Sequence, residues 1–488
     1  LSIRRQRQMC IRDSYTGDVA NPERHPKYTL DYYMGLVDEL VATGHLHVLG
    51  IKDMAGLLKP QSARLLVGSI RAKYPDLPIH VHSHDTAGIA VASMLACAEA
   101  GADVIDAAID SMSGLTSQPS MGAIVSSLEQ MELGTGISHD SIQRLNLYWS
   151  EVRQLYQCFE QNVKASDSSV FDHEMPGGQY TNLMFQSQQL GLGSQWSEIK
   201  HAYMEANMLC GDIVKVTPSS KVVGDLAQFM VANKLSARDV EEHASTLDFP
   251  VSVVEFFQGF LGTPPGGFPE PLRTHIIRNK ERVDTRRGAS LPPLDFDKIK
   301  SDLTVKYRRP MSECDAVSWA MYPKVFEEFQ AFIEEFGDLS RMPTRFFLGK
   351  PKAGEEMHIP IEDGKLLIVK LLGLGPFHEA TGMRDVLFEL NSSPRSISVK
   401  DLSASVEEVH HEKATSEPGS VGSPLAGVVV ELKVKEGDAV KPGDAMFVMS
   451  AMKMETIVSA QIAGKVTRVA VKQNDSLSQN DLLCEITP

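Results

Sequence analysis

The chain has 488 residues, 42% of them hydrophobic and 23% charged, with a formal net charge of −15. That is the length of about three domains and an ordinary globular composition. The acidic balance argues against nucleic acid as the main partner, because phosphate binding needs a basic face, and no apolar run reaches the ~20 residues of a membrane helix.

Residues 1–14, LSIRRQRQMCIRDS, are arginine-rich like a transit peptide. They run without a spacer into Tyr15–Asp18, which reads as the end of a strand. The segment is therefore expected to be an artefact or non-native leader, from which targeting is not legible. From residue 28 helical and strand patterns alternate: YTLDYYMGLVDELVATG (28–44), HVLGI (47–51), a helix around 61–73, IHVHSH (79–84), a small-residue helix over 89–100, and ADVIDAAI (102–109). Strands alternating with helices at this spacing predict parallel βα units, hence a (β/α)8 barrel or a doubly wound sheet. No glycine-rich phosphate fingerprint follows any of the strands, which weakens the nucleotide-binding option.

Residues 138–260 read as helices interrupted by loops at PGGQYTN (176–182) and VTPSSK (216–221). Pro/Gly clusters at 263–271 and 289–295 mark boundaries. Residues 296–345 read as helical, and 356–400 as strands with a hairpin turn at Asp363-Gly364. A Ser-, Glu- and Gly-rich stretch, 401–422, reads as a mobile linker. The cysteines, Cys10, Cys97, Cys158, Cys210, Cys314 and Cys484, form no CxxC pair. Neither a zinc knuckle nor a disulfide framework is signalled, and a reduced, intracellular compartment is the simpler expectation.

The last 66 residues contain an internal repeat. A shift of 37 places Ala426-Gly427 on Ala463-Gly464, Val434-Lys435 on Val471-Lys472, Asp438 on Asp475 and Asp444 on Asp481. Two equivalent β-halves predict a flattened barrel with a pseudo-twofold axis. Their joint, SAMKMET (450–456), is expected to be a tight exposed turn with Lys453 near its tip.

Ala451-Met452-Lys453-Met454 in this setting resembles the attachment site of biotinyl carrier domains. The resemblance implies covalent biotin on Lys453 and a biotin protein ligase as a partner. A plain surface lysine and the related lipoyl domains, which usually lack the paired methionines, are the alternatives.

His82 and His84 lie at i and i+2 on one strand, so both point to one face, at the C-terminal strand end where barrel active sites collect. Two imidazoles on one face suit a divalent metal, but HxH alone also suits hydrogen-bonded structural histidines. IKDMAG (51–56), HVHSHDTAG (80–88) and DSMSGLTSQPSMG (110–122) together resemble the carboxyltransferase domain of pyruvate carboxylases and related biotin enzymes. That resemblance implies His82, His84 and a carbamylated Lys52 as ligands of a divalent ion, Mn, Zn or similar. Without it, Lys52 reads as a salt bridge to Asp53 or Asp85. VTPSSK matches the segment whose threonine, here Thr217, shuttles a proton between substrate methyl and biotin. Lys221 matches the position of a cation near the substrate or biotin, and Gln179 that of a glutamine lining the biotin pocket. Read from residues alone, Thr217 is an N-cap, Lys221 a surface charge and Gln179 a loop residue.

The resemblance covers about 15–488. It implies a TIM-type (β/α)8 barrel lacking its N-terminal part, since the family's metal-binding aspartate and substrate arginine belong upstream. The expected divisions are 15–137 (barrel), 138–283 (helical funnel), 284–400 (tetramerisation/allosteric α+β segment), 401–422 (linker) and 423–488 (all-β carrier). WAMYPKVFEEF (319–329) and MRDVLFELNSSPRSISVKD (383–401) resemble the tetramerisation segment. The implied reaction carboxylates pyruvate to oxaloacetate from carboxybiotin, in a homotetramer of the mitochondrial matrix or cytoplasm, with no membrane partner. ATP and Mg would enter only through a biotin carboxylase half, in cis or in trans. A decarboxylase or transcarboxylase subunit, or a non-catalytic carrier fragment, are the alternative expectations.

Overall fold

The structure, a computed structural model, describes residues 14–487 apart from 162, 286, 379–381, 402–410, 416, 418 and 452–453. The described residues form two compact units, one of 14–153, 160–287 and 411–487, the other of 154–159 and 288–401.

The first unit opens with βα units. Helix α1 (Leu30–Ala42) precedes β1 (Leu49–Asp53), α2 (Pro60–Lys73), β2 (Ile79–Ser83), α3 (Ala90–Glu99), β3 (Val104–Ile105) and α4 (Met121–Leu128). The strands run parallel in the order β1-β2-β3, from Leu49 opposite Ile79 to Asp53 opposite Ser83. Ser14 adds a parallel bridge to Lys52. Ile79 and Val81 are fully buried with Val67, Met94 and Cys97 of the helices. The alternation therefore puts Lys52, His80 and His82 on the other, inner face of the sheet. Parallel strands alternating with helices in chain order form an arc of (β/α)8 type. The third strand is shorter than the sequence suggests: after Ile105 only the Asp106 amide still reaches Val81, at 2.9 Å, before the chain turns away to Ser120.

Helices α5 (His139–Leu155), α6 (Gly177–Gln189), α7 (Trp196–Leu209), α8 (Ser219–Ala232), α9 (Val251–Gln258) and α10 (Leu272–Ile277) follow. Their core includes Leu183, Ile199, Tyr203, Leu226 and Phe257, all fully buried. The two expected loops are helix starts instead. Pro176 and Pro218 stand just before α6 and α8, where a missing N–H leaves no helical hydrogen bond unmade.

The second unit holds α11 (Phe296–Tyr307), α12 (Glu313–Met321), α13 (Pro323–Phe336) and an antiparallel meander of β4 (Glu356–Glu362), β5 (Lys365–His378), β6 (Met383–Leu390) and β7 (Ser393–Lys400). The hairpin falls at Asp363-Gly364, as expected, with Gly364 at φ +76°. Its buried core is small, Leu303, Met311 and Phe326, and Val325, Phe329 and Phe336 remain exposed.

The C-terminal repeat folds as two four-stranded sheets. One has the order β12-β11-β9-β14 and the other β10-β13-β15-β8, from β8 (Ser420–Gly422), β9 (Gly427–Leu432), β10 (Ala439–Val440), β11 (Ala445–Ala451), β12 (Met454–Ser459), β13 (Gly464–Val469), β14 (Ser476–Leu477) and β15 (Leu482–Thr487). The 37-residue shift carries β9, β10 and β11 onto β13, β14 and β15, and β8 onto β12, so each sheet maps onto the other. Turn chemistry repeats too. Asp438, Asp444, Asp475 and Asp481 each accept the amide three residues earlier, at 2.9, 2.8, 2.7 and 2.6 Å. The residue before each aspartate is Gly437, Gly443, Asn474 or Asn480, all at positive φ. The stretch read as linker reaches into this fold: Lys413 bridges Asp481, and β8 pairs with β15. It does so because the second sheet needs a counterpart to β12.

Candidate functional site

The site begins with the acid that follows Lys52. Asp53 is fully buried and does not pair with Lys52. Its carboxylate accepts the amides of Gly56, Leu57 and Leu58 at 3.0, 2.9 and 2.8 Å and the Ser83 hydroxyl at 2.7 Å. Burial nonetheless pushes its pKa up. Asp85 accepts the Ala90 amide at 2.8 Å. The salt-bridge reading of Lys52 therefore fails: both candidate acids are engaged with backbone. Lys52 sits opposite His82 in the parallel register, on the inner face.

Neighbouring acceptors fix the two histidines. His82 Nδ1 lies 2.8 Å from Asp106 Oδ2. An ionised carboxylate only accepts, so Nδ1 carries the proton and the Nε2 lone pair is free. His84 Nδ1 lies 2.6 Å from the Thr116 carbonyl oxygen, which also only accepts, so its Nε2 is likewise unprotonated. That Nε2 is buried and has no partner. Burial, with His82 and Lys52 close by, lowers the His84 pKa and keeps it neutral, as a metal ligand must be. The two rings meet edge to face with centroids 5.2 Å apart. Among the described residues no three His, Cys, Asp or Glu side chains gather as a metal cluster. The pair of free imidazole nitrogens with Lys52 on the same face nevertheless fits a divalent ion, above all through the orphaned buried Nε2 of His84.

Close backbone approach joins the remaining segments to His84. A Cβ on Gly56, which has φ +76°, would lie 2.4 Å from the His84 carbonyl oxygen. One on Gly177 would lie 2.5 Å from His84 Nδ1. Only glycine fits either place. The Gly177 amide donates to the Met54 carbonyl at 2.9 Å, so the KDMAG turn, His84 and the start of α6 interlock. Gln179, two residues on, packs on α8, where a Cβ at Gly224 would lie 2.6 Å from its Nε2. Lys221 stands one turn earlier on α8 and Thr217 just before it. Lys221 pairs with Asp225, which also accepts the Ser252 hydroxyl at 2.5 Å. It is thus no free surface charge. Thr217 is exposed and does not cap α8, whose N-cap is Pro218.

Lys453 and Met452 lie outside the described residues. The strands on either side of them are paired up to Ala451 opposite Met454. Within the same unit β12 lies against α9: Thr456 bridges Pro250, and the Ser459 amide donates to Asp248 at 3.2 Å. Gln479 Nε2 donates to the Ala232 carbonyl at 2.6 Å. His80, Asp106 and Thr116 escaped the sequence reading. A third inward histidine in HVHSH and an aspartate at the matching level of the next strand were the available signals.

Three family models match the chain in order: HMGL-like over 12–147, a conserved carboxylase domain over 170–370, and biotin-requiring enzyme over 419–486. Pyruvate carboxylase of Aspergillus terreus is 55% identical over 474 residues, 97% of this chain and 39% of that protein. Mitochondrial pyruvate carboxylase of Mus musculus is 49% identical over 476 residues, 97% of this chain and 40% of its own length. Among solved structures, the carboxyl transferase domain from Rhizobium etli pyruvate carboxylase is 43% identical with a TM-score of 0.72, covering 80% of this chain and 65% of that one. The complete multifunctional enzyme from the same source is 40% identical with a TM-score of 0.70, covering 97% and 43%. The chain thus spans about two fifths of the length of its curated relatives and corresponds, by sequence and fold, to their C-terminal part. No helix among the described residues is long and apolar enough to cross a membrane.

Proposed function

We propose that this chain carries the carboxyl-transfer step of a pyruvate carboxylase, moving the carboxyl group of carboxybiotin to pyruvate to give oxaloacetate. The observation that carries the reading is the pair of imidazoles, His82 and His84, each fixed by an acceptor at Nδ1, near Lys52 on the same chain as the sequence AMKM at 451–454. His82, His84 and a carbamylated Lys52 would hold the metal. When bound, a divalent ion would supply Lewis acidity toward the keto acid, easing loss of a methyl proton. Biotin is attached to Lys453. Bound biotin would supply the carboxyl group that takes the place of a methyl proton of pyruvate, and the Thr217 hydroxyl, which can both donate and accept, would carry that proton to the biotin side. Gln179 and Lys221 line the biotin side, with Lys221 held in place by Asp225. The exposed apolar residues of α13 are suited to assembly into a tetramer, and ATP and bicarbonate enter through a biotin carboxylase half, in cis or in trans.

The test is fixation of labelled bicarbonate into oxaloacetate by the avidin-captured native protein. Fixation is expected only with ATP and pyruvate together. Oxaloacetate breakdown without ATP would overturn the reading and move the protein to the decarboxylase branch.

A further inference from the structure

We propose that Asp106, clamped by His80, is the positioning residue that aims His82 at the metal. The inference rests on the reading of His82 and His84 as ligands. The two oxygens of Asp106 are divided between two rings: Oδ2 faces His82 Nδ1 at 2.8 Å, and Oδ1 faces His80 Nε2 at 2.6 Å. A carboxylate held at one oxygen can still rotate about its Cβ–Cγ bond. Held at both, it cannot, and the His82 ring loses its freedom to swing. Backbone fixes the frame: the Asp106 amide donates to the Val81 carbonyl at 2.9 Å, between the two histidines on β2.

The two ligands are consequently not equivalent. His84 leans on a neutral carbonyl, that of Thr116, whereas His82 leans on a carboxylate, which fixes its tautomer and the orientation of its ring. His80 has no metal-facing role here; it serves Asp106. Outer-shell groups of this kind typically change metal affinity by about 10–100-fold when removed.

The experiment is titration of the full metal-stripped chain with Co(II) in bicarbonate buffer, following the visible absorption band and the bound metal after dialysis. Wild type is expected to bind one ion per chain, and His84→Ala none. Asp106→Ala should weaken binding by roughly 10–100-fold with a shifted band. His80→Ala should fall between them, and His80→Gln, whose amide can still donate to the carboxylate, should lie near wild type. Asp106→Asn, which can accept from only one ring, supplies the answer if the alanine variant does not fold, with an expected loss of roughly tenfold. Equal affinity and an unchanged band in the folded Asp106 variants would sink the positioning role while leaving the metal site standing. No binding by wild type would instead sink the ligand reading, and this inference with it.

Discussion

At the C-terminal ends of β1 and β2, each candidate ligand histidine is held by a second group, His82 by Asp106 and His84 by Thr116, and the turn after Lys52 is held by Asp53. The carrier is organised the other way round. Its fixed parts lie in the fully buried Met446, Phe447 and Met449 and the four aspartate turns, and its strands β11 and β12 pair up to Ala451 and Met454. The difference follows from what each region has to do. A stationary centre must aim its ligands before the substrate arrives, because reorientation during reaction costs rate. A travelling group needs only a rigid base and a tip within reach.

Replacing the tip should therefore have the largest and cleanest effect. Lys453→Arg is expected to abolish avidin capture and bicarbonate fixation together, while the melting curve stays unchanged; biotin remaining on the variant would remove Lys453 from its role. Changes at the stationary centre should separate these readouts. Thr217→Ala is expected to leave biotinylation complete and to lower carboxyl transfer by about 10²–10⁴-fold, the range for a positioned proton carrier. Thr217→Ser should restore much of the activity. Near-normal turnover in the alanine variant would refute the relay.

A structural change at the barrel face should register in stability first. Asp53→Ala leaves three buried amides and the Ser83 hydroxyl without their acceptor, and a loss of about 3 kcal/mol or more is expected from denaturant titration. A loss below about 1 kcal/mol would mean that the turn does not depend on this carboxylate.

The smallest effect is expected where the carrier meets the helices, at Asp248 just before α9. Burial pushes the Asp248 pKa up to about 6, against the lowering pull of the Ser459 amide, Arg278 and Lys280. No titratable carrier side chain is among the groups that shift it. A carboxyl whose folded-state pKa is raised binds more protons folded than unfolded. Its contribution to the stability of the fold therefore grows as pH falls through about 6 toward the ordinary carboxylate value, and is lost as pH rises. Protection of the Ser459 amide from exchange, corrected for intrinsic rate, should drop roughly tenfold between pH 5 and 8, since one pKa unit corresponds to about 1.4 kcal/mol. In Asp248→Asn it should stay flat. A pH-independent wild type would mean that Asp248 remains ionised throughout.

The sequence by itself determined what depends on local pattern. Period-two alternation placed His82 on one face of its strand, and the 37-residue repeat yielded the two equivalent β-halves of the C-terminal domain. Those features are legible because strand geometry and turn chemistry act over a few residues. Tertiary structure alone decided the partners: that Asp53 serves backbone amides and not Lys52, that Lys221 is tied to Asp225, that Asp106 sits between two histidines, and that residues 420–422 complete a sheet instead of lying in a linker. A carboxylate in a sequence can bond to any donor the fold brings within about 3 Å. Which donor that is depends on the packing of segments tens of residues apart, and no local spacing records it.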